Sequence, residues 1–255
     1  MLRKLNDLIG DEFFTEEGVF GHLEHVLVDT STWQIRYFVV DTREHLKRDR
    51  VLLPPARISQ PDPTRRAWSV DVEQRKLEES PETPDPDELE RQHEEELHAF
   101  HGWRPYWPTG YMPRGAVGRR PVGPEAVEGP PIGTSEEDQA GEETLRRATD
   151  LIDFTASAMS TKLGPVVEVV VDTRHWRIRY LIVDGRELHD PRQVLLSTGW
   201  LKRIDWAGHT LRTDIEASQI DNSPRFNPDN PVDRRYEEKL YEHYERQPYW
   251  TSTGA

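Results

Sequence analysis

The chain has 255 residues, a net charge of −14 at pH 7 and no cysteine. The lack of cysteine excludes disulfides, thiolate metal sites and cysteine nucleophiles, and the negative charge opposes non-specific binding to nucleic acid or anionic lipid. No run of residues approaches the roughly 20 apolar residues that span a bilayer, so we expect a cytoplasmic protein without membrane insertion.

Short strands are predicted near the start of the chain. Residues 19–29 and 34–41 are rich in Val, Leu, Tyr and Phe, and the Thr-Ser-Thr-Trp segment between them is typical of a turn. These segments predict a β-hairpin. Further strands are predicted at residues 50–53 and 68–72, and short strands at this spacing indicate a small barrel or sandwich.

The sequence repeats itself, since positions 8–107 align without a gap with positions 151–250. Of these 100 aligned pairs 30 are identical, whereas unrelated sequences agree at about 6 in 100. We call two residues that this register pairs, such as Leu8 and Leu151, equivalent. The same strands are therefore predicted at residues 166–172, 177–184, 193–196 and 211–215. A residue type kept in both copies is a candidate for a role in the fold.

The second strand of each hairpin is apolar on both faces. In addition to the face that holds Tyr37, the opposite face carries Phe38 and Val40, and the second copy has Leu181 and Val183 at these positions. Both faces need cover. We therefore predict that these four residues form an interface with the following helix, the other copy or another molecule.

An amphipathic helix follows the strands of each copy, at residues 87–101 in the first. Asp85-Pro86 and Asn230-Pro231 are the predicted helix starts, and they place the two helices in registers that differ by two residues. The predicted buried stripes consist of Leu89, His93, Leu97 and Phe100 in the first copy and of Val232, Tyr236, Leu240 and His243 in the second.

The end of each copy is marked by an aromatic tail, Pro105-Tyr106-Trp107 or Pro248-Tyr249-Trp250, which we expect to fold back as a lid on the strands. Positions 108–143 then contain six Pro and seven Gly, a composition typical of flexible linkers. The predicted units are a first repeat at residues 1–107, a linker at 108–143 and a second repeat at 144–255.

Three segments resemble a known family. Residues 21–29, 33–41 and 51–54, with their counterparts 164–172, 176–184 and 194–196, are similar to the PRC-barrel domain. The resemblance covers about residues 8–80 and 151–223 and implies a small β-barrel in each copy. The predicted fold is thus mainly β with added helices: two small PRC-type β-barrels, each followed by an amphipathic helix, joined by a Pro/Gly-rich linker.

The candidate catalytic groups are paired carboxylates that recur in both copies: Asp29 with Asp41 and Asp71 with Glu73, repeated as Asp172 with Asp184 and Asp214 with Glu216. They lie at strand ends and turns, where Asp commonly bonds backbone amides, and no nucleophile with a base accompanies them. We therefore predict no catalytic residue and no enzyme.

A metal site is suggested by one helical face. Glu94, His98 and His101 have a spacing that can bind a divalent ion, but the second copy has Tyr in place of both histidines. We predict that the two histidines are packing residues, and that the protein holds no metal and no cofactor.

The sequence as a whole predicts a non-catalytic protein-interaction or scaffold protein with an unknown protein partner. The two copies can pair within one chain or form a homodimer, and no basic run supports nucleic-acid binding. The resemblance also allows an accessory factor of a photosynthetic or ribosome-assembly complex. A further alternative is a small-ligand-binding module with an aromatic pocket between barrel and helix, lined by Trp33, Trp176, Tyr106, Trp107, Tyr249 and Trp250.

Overall fold

A computed structural model describes residues 1–59, 66–85, 88–107, 145–159 and 161–251, and the predicted linker lies outside these residues. The described residues are mainly β with short helices. The strands are β1 (Leu2–Lys4), β2 (Glu12–Thr15), β3 (Gly18–Asp29), β4 (Gln34–Asp41), β5 (Arg50–Leu53), β6 (Ala67–Ser69), β7 (Leu145–Arg147), β8 (Thr155–Ala158), β9 (Thr161–Asp172), β10 (Arg177–Gly185), β11 (Arg192–Ser197), β12 (Leu201–Asp205) and β13 (Thr210–Thr213). The helices are α1 (Leu5–Leu8), α2 (Gln74–Glu78), α3 (Arg91–His101), α4 (Ala217–Asp221) and α5 (Arg234–His243).

Strand pairing joins these strands into one sheet with the order β12-β13-β8-β9-β10-β4-β3-β2-β6. At its sides β1 pairs with β9, β11 with β10, β5 with β4 and β7 with β3. Within the described residues these pairings do not close, so the two closed barrels expected from the family resemblance are not present as rings of paired strands.

Both predicted hairpins form, and their first strands carry a glycine at a point of close approach. A Cβ atom on Gly21 would lie 2.3 Å from the carbonyl oxygen of Asp41, and one on Gly164 would lie 1.9 Å from that of Asp184. The two glycines are equivalent residues of the repeat. Both positions are occupied by glycine because the neighbouring strand leaves no room for a side chain.

Each half of the described chain gives its first strand to the other half. We call residues 1–107 the first half and residues 145–251 the second half. Strand β1 pairs antiparallel with β9, with Leu2 opposite Asp172, and β7 pairs antiparallel with β3, with Leu145 opposite Asp29. The two exchanged strands are themselves equivalent, because the register of the repeat places Leu2 on Leu145. Neither half therefore completes its own sheet.

The two halves also join where β4 meets β10, at what we call the strand junction. Gln34 lies opposite Arg177 in the register of these strands. On one side the backbone N–H of Ile35 donates to the carbonyl oxygen of Trp176 at 2.8 Å, and on the other Ile178 donates to that of Trp33 at 2.9 Å. The hydrogen bonds thus follow a local two-fold arrangement.

The helix starts differ from the predicted ones. The N-cap of α3 is Glu90, and that of α5 is Asp233, whose carboxylate accepts from the backbone N–H of Tyr236 at 2.7 Å. The starts predicted at Asp85-Pro86 and Asn230-Pro231 are both wrong, because Glu90 and Asp233 supply the caps; Pro86 itself lies outside the described residues. The two caps are equivalent residues, so the predicted difference in helix register is also wrong.

The buried face of α3 also differs from the predicted stripe. Phe100 is 40% exposed, whereas Glu94, His98 and His101 are buried beside Leu97. A stripe drawn from apolar residues alone misses this face, because each of these buried polar side chains has a hydrogen-bond partner outside the helix: Tyr106 for Glu94, Tyr37 for His98 and Ser80 for His101. No helix in the described part of the chain is both long and apolar enough to cross a membrane.

Candidate functional site: the tail clusters and the strand junction

Each aromatic tail folds back onto its own half. In the first half the ring centroid of Tyr106 lies 6.2 Å from that of Tyr37 on β4. In the second half the ring centroid of Trp250 lies 5.1 Å from that of Tyr241 on α5. Each tail gathers side chains from a strand and a helix into what we call the first tail cluster (Arg36, Tyr37, Arg91, Glu94 and Tyr106) and the second tail cluster (Arg179, Tyr180, Arg234, Glu237 and Tyr249).

A buried glutamate lies in the middle of the second tail cluster. The hydroxyl groups of Tyr180 and Tyr249 donate to Oε1 of Glu237 at 2.7 Å and 2.9 Å, and Arg234 forms an ion pair with its other oxygen at 3.2 Å. Burial raises the pKa of Glu237, although the two hydrogen bonds and Arg234 lower it. The carboxylate thus links strand, helix and tail.

The first tail cluster is built in the same way. Tyr106 donates to Glu94 at 2.7 Å, and Arg91 pairs with the same carboxylate at 2.9 Å. The hydroxyl of Tyr37 interacts with Glu94 and also lies 2.8 Å from Nε2 of His98. Burial lowers the pKa of His98, which favours the neutral ring as the partner of this tyrosine.

Two arginines of β4 and β10 stack on the tail tyrosines. The guanidinium of Arg36 lies 4.2 Å from the ring centroid of Tyr106, and that of Arg179 lies 3.8 Å from that of Tyr249. Both arginines occupy the extra position of a β-bulge, where the register of the hairpin shifts by one residue. A bulge redirects a side chain, and here each brings an arginine to its tail.

The tryptophans of the two hairpin turns lie at the strand junction. Trp33 and Trp176 have φ angles of 62° and 52°, in the left-handed region, and both are buried. Trp176 packs into the first half, with ring centroids 4.6 Å from Phe38 and 5.0 Å from Trp68. The hairpin turn of the second half therefore supplies a core residue to the first.

The predicted interface residues are all core residues. Phe38, Val40, Leu181 and Val183 are at most 1% exposed. Phe38 packs against Phe13 of its own half, with ring centroids 6.0 Å apart, and against the exchanged Trp176. Of the four residues, Phe38 is thus placed by ring geometry at a contact between the halves.

The predicted pocket aromatics are divided between three places. Trp33 and Trp176 lie at the strand junction, whereas Tyr106 with Trp107 and Tyr249 with Trp250 belong to the two tails. An open cavity of about 690 Å³ lies elsewhere and is lined by Gly10, Glu12, Phe14, Gly18, Val19, His22, Arg66 and Ala67.

Two of the carboxylates singled out from the sequence, Asp29 and Asp172, are engaged at the hairpin turns. Asp29 accepts from Ser31 Oγ and from Arg36, both at 2.6 Å, and Asp172 lies 2.7 Å from Nδ1 of His175. Burial raises the pKa of Asp29, but the hydrogen bonds from Ser31 and Arg36 outweigh it and hold the pKa below its ordinary value. Asp41 and Asp184 pair with arginines two residues later.

The three residues of the candidate metal site do not converge. Glu94 binds Tyr106, His98 faces Tyr37, and Nε2 of His101 lies 2.6 Å from the hydroxyl of Ser80. Burial lowers the pKa of His101 to about 4. Across the residues that the structure describes, no group of three His, Asp or Glu side chains is arranged to hold a metal ion.

Sequence reasoning considered Glu94 only as a candidate metal ligand, and it missed Glu237 and the arginines of the tail clusters. A usable signal was present, since Arg36, Arg91 and Glu94 are each identical to the equivalent residue of the second copy. Comparison with known families and with curated proteins adds no further evidence, because no family model matches the chain and no curated protein matches its sequence.

Proposed function

We propose that this chain is a non-catalytic protein-interaction or scaffold protein built from two PRC-barrel-like repeats at residues 1–107 and 144–255. The constant register of the repeat supports the two units, because the hairpins, the exchanged strands, the helix caps and the tail clusters all recur at equivalent positions. Residues 108–143 join the repeats.

The observation that carries the non-catalytic part is how the buried carboxylates are used. Glu237 accepts hydrogen bonds from two tyrosines and pairs with Arg234. Asp29 accepts hydrogen bonds from Ser31 in its own turn and from Arg36. A general acid or base must reach the proton of a substrate, and a nucleophile must reach its reacting atom. These groups instead bind the elements of the fold to one another, which supports a structural framework.

The strand exchange supports the scaffold part of the proposal. Because β1 and β7 each complete the sheet of the other half, the two halves are held in a defined geometry, and each presents a helix and a tail. Two related units in fixed positions suit a protein that joins two partner molecules, or two sites on one partner.

The test uses the full chain as bait in an extract of its source cells, with quantitative mass spectrometry of the retained proteins. Phe100 on α3 is exposed, so Phe100→Ser should weaken a partner that contacts this helix, while the matched variant Met159→Ser alters an exposed residue next to β8. We expect one protein to be retained by the wild type and by Met159→Ser, and to bind the purified chain in a defined ratio by light scattering.

The proposal is contradicted by a different pattern. A chain that retains no protein, but whose melting temperature rises in the small-molecule fraction of the same extract, is a ligand-binding module instead. A chain that converts a metabolite of that fraction is an enzyme.

A further inference from the structure

Three arginines lie together at the strand junction. Arg177 on β10 is opposite Gln34 on β4, and the bulge residues Arg36 and Arg179 follow two positions later on the same strands. Arg179 and Arg36 both repel the positive charge of Arg177. A cluster of like charges of this kind needs negative groups nearby.

Two of the three arginines have such a group. Arg36 donates to Asp29 at 2.6 Å, and Arg179 pairs with Asp172 at 3.4 Å. The negative charge of Asp29 attracts the guanidinium of Arg177. This guanidinium nevertheless forms no hydrogen bond and no ion pair with any residue in the described part of the chain. Among these five side chains, three arginines and two aspartates leave one positive charge. Arg177 is half-buried, and burial lowers its pKa, so its charge is held in an unfavourable place.

The fold itself does not require this charge. Gln34, which holds the equivalent position in the first half, donates from its amide to the carbonyl oxygens of His175 and Trp176 at 2.8 Å and 2.9 Å. An uncharged amide is therefore accommodated and satisfied at the junction. Arg177 replaces it in the second half with a longer, charged group that gains no partner among the described residues.

The surroundings strengthen a contact with a negative group. Tyr106 and Tyr249 stack on the flanking arginines and are themselves half-buried. The Nε atoms of Arg36 and Arg179 are buried and have no hydrogen-bond acceptor among the residues that the structure covers. The junction thus has more donors than acceptors, in a setting where restricted water makes an ion pair stronger than on an open surface.

We propose that Arg177 binds a carboxylate group that comes from outside the chain, at the junction of β4 and β10. A planar guanidinium can donate two parallel hydrogen bonds to a carboxylate. The single negative charge of a carboxylate also neutralises the one positive charge that the two aspartates leave unpaired. A doubly charged phosphate would add a second negative charge beside Asp29 and Asp172. The carboxylate comes either from an acidic side chain of a bound protein or from a small organic acid.

The test is nuclear magnetic resonance of the full, ¹⁵N-labelled chain. The Nε–H resonance of Arg177 is identified as the one that disappears in Arg177→Gln, a substitution for which Gln34 provides the precedent. The probes are sodium acetate and a blocked pentapeptide with a single Glu, with sodium chloride at equal ionic strength as reference. Arg203→Gln, at an exposed position on β12, removes the same charge elsewhere.

We expect the Arg177 resonance to shift to saturation with acetate or with the peptide, in the wild type and in Arg203→Gln, and not with chloride. Saturation at a lower concentration of peptide than of acetate assigns the carboxylate to a protein, and the reverse order assigns it to a small acid. A resonance that follows acetate, peptide and chloride alike would overturn the proposal.

A second measurement is independent of the resonance. If Arg177 binds a carboxylate from outside the chain, its charge does not stabilise the protein when no carboxylate is bound. The variant Arg177→Gln should therefore unfold in chloride buffer at the same or a higher urea concentration than the wild type. A lower midpoint would make Arg177 a structural residue and overturn the proposal.

Discussion

The hydroxyl of Tyr180 donates a hydrogen bond of 2.7 Å to Glu237, and both side chains are buried where strand, helix and tail of the second half meet. Burial raises the pKa of this carboxyl group, although the hydrogen bonds and Arg234 lower it. The folded protein therefore favours the protonated form of Glu237 more than the unfolded chain does, and its stability depends on pH.

We expect the wild type to lose stability relative to Glu237→Gln as the pH rises. A carboxyl group with a raised folded pKa contributes fully below its ordinary pKa of 4.5, and this contribution is lost as the pH rises through the folded value. Urea unfolding between about pH 4 and pH 8 measures the difference in the free energy of unfolding. Glu238→Gln, at the exposed neighbouring position, is the control. Parallel curves for the wild type and Glu237→Gln would contradict the prediction.

The opposite dependence is expected for Asp29, because its folded pKa lies below the ordinary value of 3.8. Its contribution is present above the ordinary pKa and is lost as the pH falls through the folded value. Asp29→Asn should lower the free energy of unfolding by roughly 1–3 kcal/mol at neutral pH, and by progressively less in acid. Asp49→Asn, an exposed change of the same kind, should have little effect. A deficit that stays constant down to acid pH would exclude this role.

Gly21 should not tolerate a side chain, because its Cβ would lie 2.3 Å from the Asp41 carbonyl oxygen. Gly21→Ala is expected to cost about 1–3 kcal/mol of unfolding free energy, since two paired strands must move apart. For the control Gly199→Ala, the nearest atom is Ser197 Oγ at 3.6 Å, an ordinary contact. Equal losses for the two variants would show that the close approach is not the cause.

The contact between Trp176 and Phe38 couples the two halves. Trp176→Ala should cost roughly 3–5 kcal/mol, as expected for the loss of a buried tryptophan. In a double-mutant cycle with Phe38→Ala, we expect a coupling energy of about 0.5–3 kcal/mol from the ring contact at 4.6 Å. Additive losses would place the two rings apart in solution.

The hairpins could be predicted from the sequence because β3, β4, β9 and β10 are long and rich in strand-forming residues. The exchange of β1 and β7 could not. Each of these strands has three residues with a single apolar one, which is too little for a periodic pattern, and its pairing partner lies far away in the sequence. Identity of Leu2 with Leu145, and of Arg3 with Arg146, extends the repeat to these strands but does not reveal where they pair.

The candidate site was predictable only in part. The aromatic tails were visible as a repeated segment, whereas Glu94 and Glu237 were not expected in the core because glutamate is rarely buried. Their burial depends on tyrosines brought from a strand and a tail, and such partners are known only once the fold is known. The role proposed for Arg177 could not be predicted for the same reason, since the charges around it come together only when β4 and β10 pair.

The exchange of β1 and β7 also bears on how the protein is made. During synthesis the first half leaves the ribosome before Leu145–Arg147 exists, so the edge of β3 at residues 27–29 is open at that stage. Strand β1 is available by then, and its sequence resembles that of β7, so it competes for the same edge. The nascent chain must therefore either keep β1 away from its own hairpin or release it again when the second half emerges to receive it.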